Sequence, residues 1–286
     1  MRCVLALLLL GGTMMQAQQN SESPSTGSFS RVDGIQYAQG KSAPLLADLL
    51  LPKSTAPAPA IIFIHGGGWI GGTRDWPDVL MKPFPEHGYV AMYIDYDLSP
   101  GVRFPIALGE CKAAVRWLRA HAAQYHVDPN RIAVAGVSAG GELAALVALT
   151  AGDQRYEGIG EFREFSSSVK AAILYSSDLD LAAFSEKDES INAYLGGSCL
   201  EQHTLCLQAS PQFSLSGKLP PIFIGHGNAD RDVPYSQFVN FVAAYKQAHG
   251  PITTFIAEQG PHSYAKQPQW FQTNMDATFL FLQKNL

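Results

Sequence analysis

Charge is scarce in this chain. Of its 286 residues, 20 are Lys or Arg and 25 are Asp or Glu, for a net charge of −5. The basic residues form no block, and a nucleic-acid surface needs one to neutralise phosphates; that partner class is not expected. Cysteine is scarce too, with four in all. No Cys-x-x-Cys pair and no His-Glu-x-x-His occurs, so neither a metal nor a cofactor is expected. Beyond the first residues, no apolar run is long enough to cross a bilayer. A membrane span is therefore not expected after leader removal. No internal repeat is present. Hydrophobic residues make up 47%, which argues against disorder over most of the chain. The length suits one large single-core domain.

The first residues read as a targeting segment. Met1-Arg2 is a short positive start, residues 4–10 are apolar, and small or polar residues follow through Ala17. This is the order of a secretory signal peptide. The competing reading is an amphipathic or disordered N-terminus. Residues 1–17 are taken as the leader, 18–28 as a Ser/Pro/Gly-containing linker, and 29–286 as the folded domain. Cys199 and Cys206 lie close together in a polar stretch, and in an oxidising compartment a local disulfide is expected between them. Cys111 falls in an amphipathic helical pattern and reads as a small buried hydrophobe.

From about Phe29, extended and helical patterns alternate. Residues 45–51 read as a strand. Residues 60–65 (Ala-Ile-Ile-Phe-Ile-His) and 89–94 are short continuous apolar runs of the kind that buried parallel strands show. Residues 131–135, 169–175, 222–225 and 253–257 are further strand candidates, the last three read as buried. Helical spacing occurs over 106–125, 139–150, 235–249 and 268–286. Strand and helix in this rhythm predict a mostly parallel sheet covered on both faces. Such sheets bind ligands at the carboxyl ends of their strands.

The strongest local signal is Gly136-Val137-Ser138-Ala139-Gly140-Gly141. It matches Gly-x-Ser-x-Gly, between a predicted strand and a predicted helix. A serine on so sharp a turn needs small residues two positions before and after it. The turn exposes the hydroxyl at a helix N-terminus, where the Ala139 amide and the helix dipole favour negative charge. The competing reading is a plain Gly-rich turn. A second glycine loop, His65-Gly66-Gly67-Gly68-Trp69, follows the strand at 60–64. Its glycines leave backbone amides open to a substrate. A phosphate cradle is the alternative, but no Lys-Ser/Thr follows and no helix opens on these glycines.

Together, His-Gly-Gly-Gly-Trp and Gly-Val-Ser-Ala-Gly-Gly resemble the esterase and lipase branch of the α/β-hydrolase superfamily, in its hormone-sensitive-lipase-like and carbohydrate-esterase-like groups. The resemblance extends over nearly all of the chain after the leader. It implies an α/β-hydrolase fold, with a mostly parallel eight-stranded sheet, flanking helices and no large cap domain. It also implies that the amides of Gly67, Gly68 and Ala139 form an oxyanion hole. Two departures stand out. Asp97, in Asp95-Tyr96-Asp97-Leu98-Ser99-Pro100, sits where the family usually has Arg, which removes the cation of a structural ion pair. Glu142 replaces a common His.

A serine hydroxyl needs a base oriented by a carboxylate, and the family orders these as Ser, acid, His. The stretch His226-Gly227-Asn228-Ala229-Asp230-Arg231-Asp232-Val233-Pro234 resembles the family's acid segment and points to Asp230, with Asp232 as its rival. His262, after the strand at 253–257, is the base candidate. His65 and His226 read as loop braces. His87, His121, His126 and His249 lie near helices as surface or packing residues, and His203 lies in the cysteine stretch.

The resemblance implies a serine carboxylic ester hydrolase working through an acyl-enzyme, and the leader implies that it is secreted. Little sequence precedes the first glycine loop, so no helical N-terminal cap is expected, and residues 179–212 are a candidate lid. An open site and export favour short acyl or aromatic-acid esters, with acetyl or feruloyl groups on plant polysaccharide as the particular expectation. The alternatives are a lipase-like esterase on glycerides and a non-catalytic hydrolase-fold binding protein.

Overall fold

A computed structural model describes residues 22–23, 29–41, 43–75, 78–158 and 160–286. The expected leader at 1–17, and the linker at 18–28 apart from residues 22–23, lie outside the described residues.

Among the described residues nine strands form one sheet: β1 (Glu22–Ser23), β2 (Phe29–Gln39), β3 (Pro44–Pro52), β4 (Ala58–Ile64), β5 (Val90–Ile94), β6 (Val127–Val137), β7 (Ala172–Tyr175), β8 (Ile222–Gly227) and β9 (Ile252–Ala257). Their order across the sheet is β1-β2-β3-β5-β4-β6-β7-β8-β9. From β5 to β9 all neighbours run parallel, and β1, β2 and β3 pair antiparallel at one edge. Strands β2–β9 are the eight expected. Strand β1 is a two-residue addition inside the presumed linker, where Glu22 and Ser23 pair with Val32 and Arg31.

The helices are α1 (Asp78–Met81), α2 (Pro83–Glu86), α3 (Ile106–Ala120), α4 (Ala139–Leu149), α5 (Glu189–Leu195), α6 (His203–Gln208), α7 (Tyr235–Gln247) and α8 (Pro268–Asn285). Every residue of β4 is buried, because both sheet faces are covered. Ile62, Ile64, Ile132 and Val134 pack in one core with α3, α4 and α7. Ile61, Phe63, Ala133 and Ala135 pack in the other with α1, α2 and α8. The alternation is the two-residue period of a strand. Helix α4 is buried from Ala139 to Ala148, as a helix apolar on every side but for Glu142 should be.

Strand β9 departs from the sequence expectation of burial. It closes the sheet as an edge strand, and Thr253, Thr254 and Ile256 are exposed. Phe255 and Ala257 pack on the core at alternate positions, while Thr254 before them and Ile256 between them are exposed. Between β7 and β8 the chain builds a small inserted segment with α5 and α6, stapled by a Cys199–Cys206 disulfide. Cys111 is free and buried.

Candidate active site

The site lies at the carboxyl ends of the central strands. Ile64, the last residue of β4, is in register with Gly136 near the end of β6. The two glycine loops that leave these strands are therefore neighbours. Ser138 sits between β6 and α4 with φ 56° and ψ −129°, a left-handed φ that an L-residue adopts only when its surroundings enforce it. A Cβ on Gly136 would lie 2.0 Å from the Gly140 carbonyl oxygen, and one on Gly140 would lie 2.3 Å from the carbonyl oxygen of Ile64. The motif glycines are thus required by close approach of the backbone. The Ser138 amide donates to the Tyr175 carbonyl at 3.0 Å, and the Ser138 carbonyl accepts from Gly141 and Glu142. Ala139 opens α4, so its amide has no partner within the helix.

In the first glycine loop, the amides of Ile70 and Gly71 both donate to the Gly67 carbonyl at 3.1 Å. Gly67 and Gly68 both have left-handed φ. Three side chains fix the loop from outside. His65 is buried, stacks on Tyr96 at 4.3 Å, and accepts the Tyr96 hydroxyl on its carbonyl at 3.1 Å. It is the brace that the sequence suggested. Trp69 donates from Nε1 to Glu142 at 3.1 Å and stacks flat on Tyr194 of α5 at 4.4 Å. Tyr194 also donates its hydroxyl to Glu142, at 3.3 Å. The carboxylate that replaces the family histidine thus ties the glycine loop and the inserted segment to the first turn of α4. Burial, together with the charge of Asp178, pushes the Glu142 carboxyl well above its usual range, against the donors Trp69 and Tyr194.

Asp230 follows β8 and its side chain is fully buried. Its Oδ1 accepts from the amides of Asp232 and Val233, both at 2.9 Å. Its Oδ2 lies 2.8 Å from Nδ1 of His262, in the loop after β9. Burial acts to raise this carboxyl, but the His262 bond and the two amides outweigh it and hold Asp230 below its ordinary value. Burial acts to lower His262. The bond to Asp230, with the charges of Asp230, Asp178 and Asp232, more than reverses that and raises the imidazole. Between the two acid candidates, the contact with His262 Nδ1 belongs to Asp230. Asp232 contributes its amide and a more distant charge. His226, like His65, braces a loop: its Nε2 contacts the Val233 carbonyl at 3.0 Å and Asp230 at 3.4 Å. Asp230, Asp232 and His262 are also close enough together to hold a cation, but a cation there would compete with the His262–Asp230 bond.

One site residue escaped the sequence reading. Asp178, just after β7, has its Oδ2 3.5 Å from the Ser138 hydroxyl, which donates to it. It is 6% exposed. Burial pushes its carboxyl up to about 7, against the nearby His262 and the Ser138 bond, and Asp188 and Asp230 push the same way as burial. The signal that would have found it is position alone: it stands directly beyond an apolar run, where parallel sheets present ligand-facing residues. The loop is held in place by Ser176, whose hydroxyl donates to the His262 carbonyl at 3.1 Å.

A doubly covered parallel sheet, a serine on a strained strand-to-helix turn, and a histidine–aspartate pair from the last two strands define the α/β-hydrolase class. The chain belongs to the BD-FAE family, whose model matches residues 47–245. Among curated proteins it is similar to Esterase LipQ of Mycobacterium tuberculosis, at 33% identity over 233 residues, covering 78% of this chain and 54% of that one. It is also similar to the probable carboxylic ester hydrolase LipM of the same organism, at 32% identity over 200 residues, covering 68% and 46%. The chain spans about half the length of these relatives. Among solved structures, a truncated carbohydrate esterase from gut microbiota superposes with TM-score 0.82 at 26% identity, covering 91% of this chain and 99% of that one. The butyrate-bound esterase Est2 of Thermogutta terrifontis superposes with TM-score 0.76 at 28% identity, covering 88% and 93%.

Proposed function

We propose that this protein is a serine carboxylic ester hydrolase, with Ser138 as nucleophile, His262 as general base and acid, and Asp230 as the carboxylate that orients His262. The observation that carries the reading is Ser138 on its strained turn, hydrogen-bonded to an Asp178 that also feels the charge of His262, whose Nδ1 is held 2.8 Å from a buried Asp230. With Nδ1 committed, Nε2 is the nitrogen left to take the serine proton. The alkoxide attacks the ester carbonyl, and the amides of Gly67, Gly68 and Ala139 receive the oxyanion. His262 returns the proton to the leaving alcohol. Water then attacks the acyl-enzyme by the same route in reverse order of partners. In the resting geometry the Ser138 hydroxyl points to Asp178 at 3.5 Å, a weak bond that substrate binding breaks at little cost.

The substrates proposed are short acyl or aromatic-acid esters, in particular acetyl or feruloyl groups on plant polysaccharide. Support comes from the resemblance to a carbohydrate esterase and to an esterase solved with butyrate. Export is proposed with it, supported by the leader-like residues 1–17 and by the disulfide, a bond that persists in oxidising compartments. The test is hydrolysis of p-nitrophenyl acetate, butyrate and palmitate beside release of acid from acetylated and feruloylated xylan. Ser138→Ala is expected to reduce turnover by about 10³-fold or more with the fold intact by circular dichroism. Near-normal turnover in that variant refutes the nucleophile. Preference for palmitate turns the reading toward glycerides.

A further inference from the structure

The proposed reaction uses Ser138, His262 and Asp230 and leaves Asp178 without a task. Yet Asp178 accepts from the nucleophile, with its Oδ2 3.5 Å from Ser138 Oγ. Its charged surroundings come from several elements. His262 approaches from the loop after β9, Asp230 from the loop after β8, and Asp188 from the turn before α5. Glu142 in the first turn of α4 also feels its charge, and Asp232 acts on His262. One imidazole therefore faces a set of carboxyls. A buried carboxyl with a structural task is met by cations and neutral donors, as Glu157 is by Lys112, Arg116, the Gly152 amide and Ser167. Asp178 instead accepts from the group that attacks substrate.

On the reading of this site as an ester hydrolase, we propose that Asp178 is a charge selector beside the nucleophile, favouring esters whose groups near Ser138 are neutral or cationic and rejecting anionic ones. A carboxylate on the ester, seated about 6 Å from Asp178 at an effective dielectric of about 20, meets a repulsion worth roughly a hundredfold in kcat/KM. The selection has a built-in pH dependence. Burial, reinforced by Asp188 and Asp230 against His262, holds the Asp178 carboxyl at about 7. Below that pH the group is neutral and offers a hydroxyl; above it, the group is an anion in a confined site. Titration of His262 changes neutral and anionic substrates through the same chemical step, so it largely cancels in their ratio.

The experiment compares matched esters that differ by one fixed negative charge. Phenyl acetate against 3-acetoxybenzoate places the charge on the alcohol, and methyl valerate against methyl hydrogen succinate places it on the acyl group. The ratio of kcat/KM, neutral over anionic, is expected to rise about tenfold or more between pH 6 and pH 8.5 in at least one pair, and to stay flat for that pair in Asp178→Asn. A flat ratio for the native protein in both pairs overturns the proposal, as does a rise that persists in Asp178→Asn. If Asp178→Asn does not fold, the native pH dependence decides alone. Absence of turnover on every ester by the folded native protein sinks the ester-hydrolase reading and the selector with it. Turnover with a flat ratio sinks the selector only.

Discussion

Buried charge is gathered at both ends of helix α4, and the two gatherings are built on different rules. Beyond its C-terminus, the Lys112 ammonium donates to the carbonyl of Thr150, which ends the helix, at 2.5 Å and to Glu157 at 3.0 Å. Arg116 meets the other Glu157 oxygen at 2.9 Å. Ser167 and the Gly152 amide complete the Glu157 shell at 2.8 and 2.9 Å. Burial acts to raise Glu157, and the Ser167 and Lys112 bonds reverse it to below the ordinary range. Burial also lowers Lys112 and Arg116, which repel one another while sharing one carboxylate. At the N-terminus of α4 gather Asp178, Glu142 and Asp230, with the imidazoles of His262 and His226 against Asp230. Each sign suits its end of the helix dipole. The difference lies in compensation. The far cluster pairs opposite charges and serves the fold. The near cluster crowds like charges, spreads their proton affinities apart, and sits around a strained serine, the pattern of a site arranged for proton transfer.

If that contrast is right, conservative changes at the two ends break different things. The largest effect is expected from Asp230→Asn, which keeps the shape but stabilises the wrong imidazole tautomer. Turnover of p-nitrophenyl acetate should fall by about 10³- to 10⁴-fold, while the urea midpoint stays close to that of the native protein. Retained turnover would move the acid role away from Asp230. At the other end, Glu157→Gln leaves Lys112 and Arg116 buried without a counter-charge. It should cost about 3–5 kcal/mol of stability in urea unfolding, with kcat of the folded fraction unchanged within about twofold. A stability loss under about 1 kcal/mol would show that the far cluster is held by packing instead.

How much of this was legible in the sequence follows from distance along the chain. The turn at Ser138 was readable because its glycines, strand and helix are contiguous. The Cys199–Cys206 bridge was readable for the same reason, with a separation of 7. Asp230 and His262 were readable because the family fixes their order and local motifs. Asp178 lies 40 residues from Ser138 in Ser-Ser-Asp-Leu-Asp, which has no spacing signature; only the β6–β7 pairing brings it in. The bonds from Trp69 and Tyr194 to Glu142 join residues 73 and 52 apart, so one helix turn collects two distant aromatics that no local pattern links. Strand β9 was readable as a strand but not as an edge, since sheet order is set by topology and not by composition.

A third carboxyl sharpens the comparison. Glu110 on α3 lies beside Asp97, whose amide donates to it at 2.8 Å. Asp97 in turn accepts from the Lys41 amide at 2.6 Å, a neutral donor where the resemblance places an arginine. Burial, with the Asp97 charge, raises Glu110 from 4.5 to about 8. Neither Ser138 nor His262 is among the groups that shift it, so a shifted carboxyl marks a site only where geometry agrees. Its consequence is for stability. The folded pKa is the higher one, so the folded state holds a proton that the unfolded state has already released. That contribution is complete below about 4.5, drains away as pH rises, and is gone above about 8. Glu110→Gln removes the titration. Because Glu110 is partly solvated, the native protein should lose only about 1–2 kcal/mol relative to this variant between pH 4.5 and pH 8.5, read from urea unfolding at both pH values. Parallel pH slopes in the two proteins would mean that Glu110 is ionised in the fold, with a cation or water supplying what Asp97 does not.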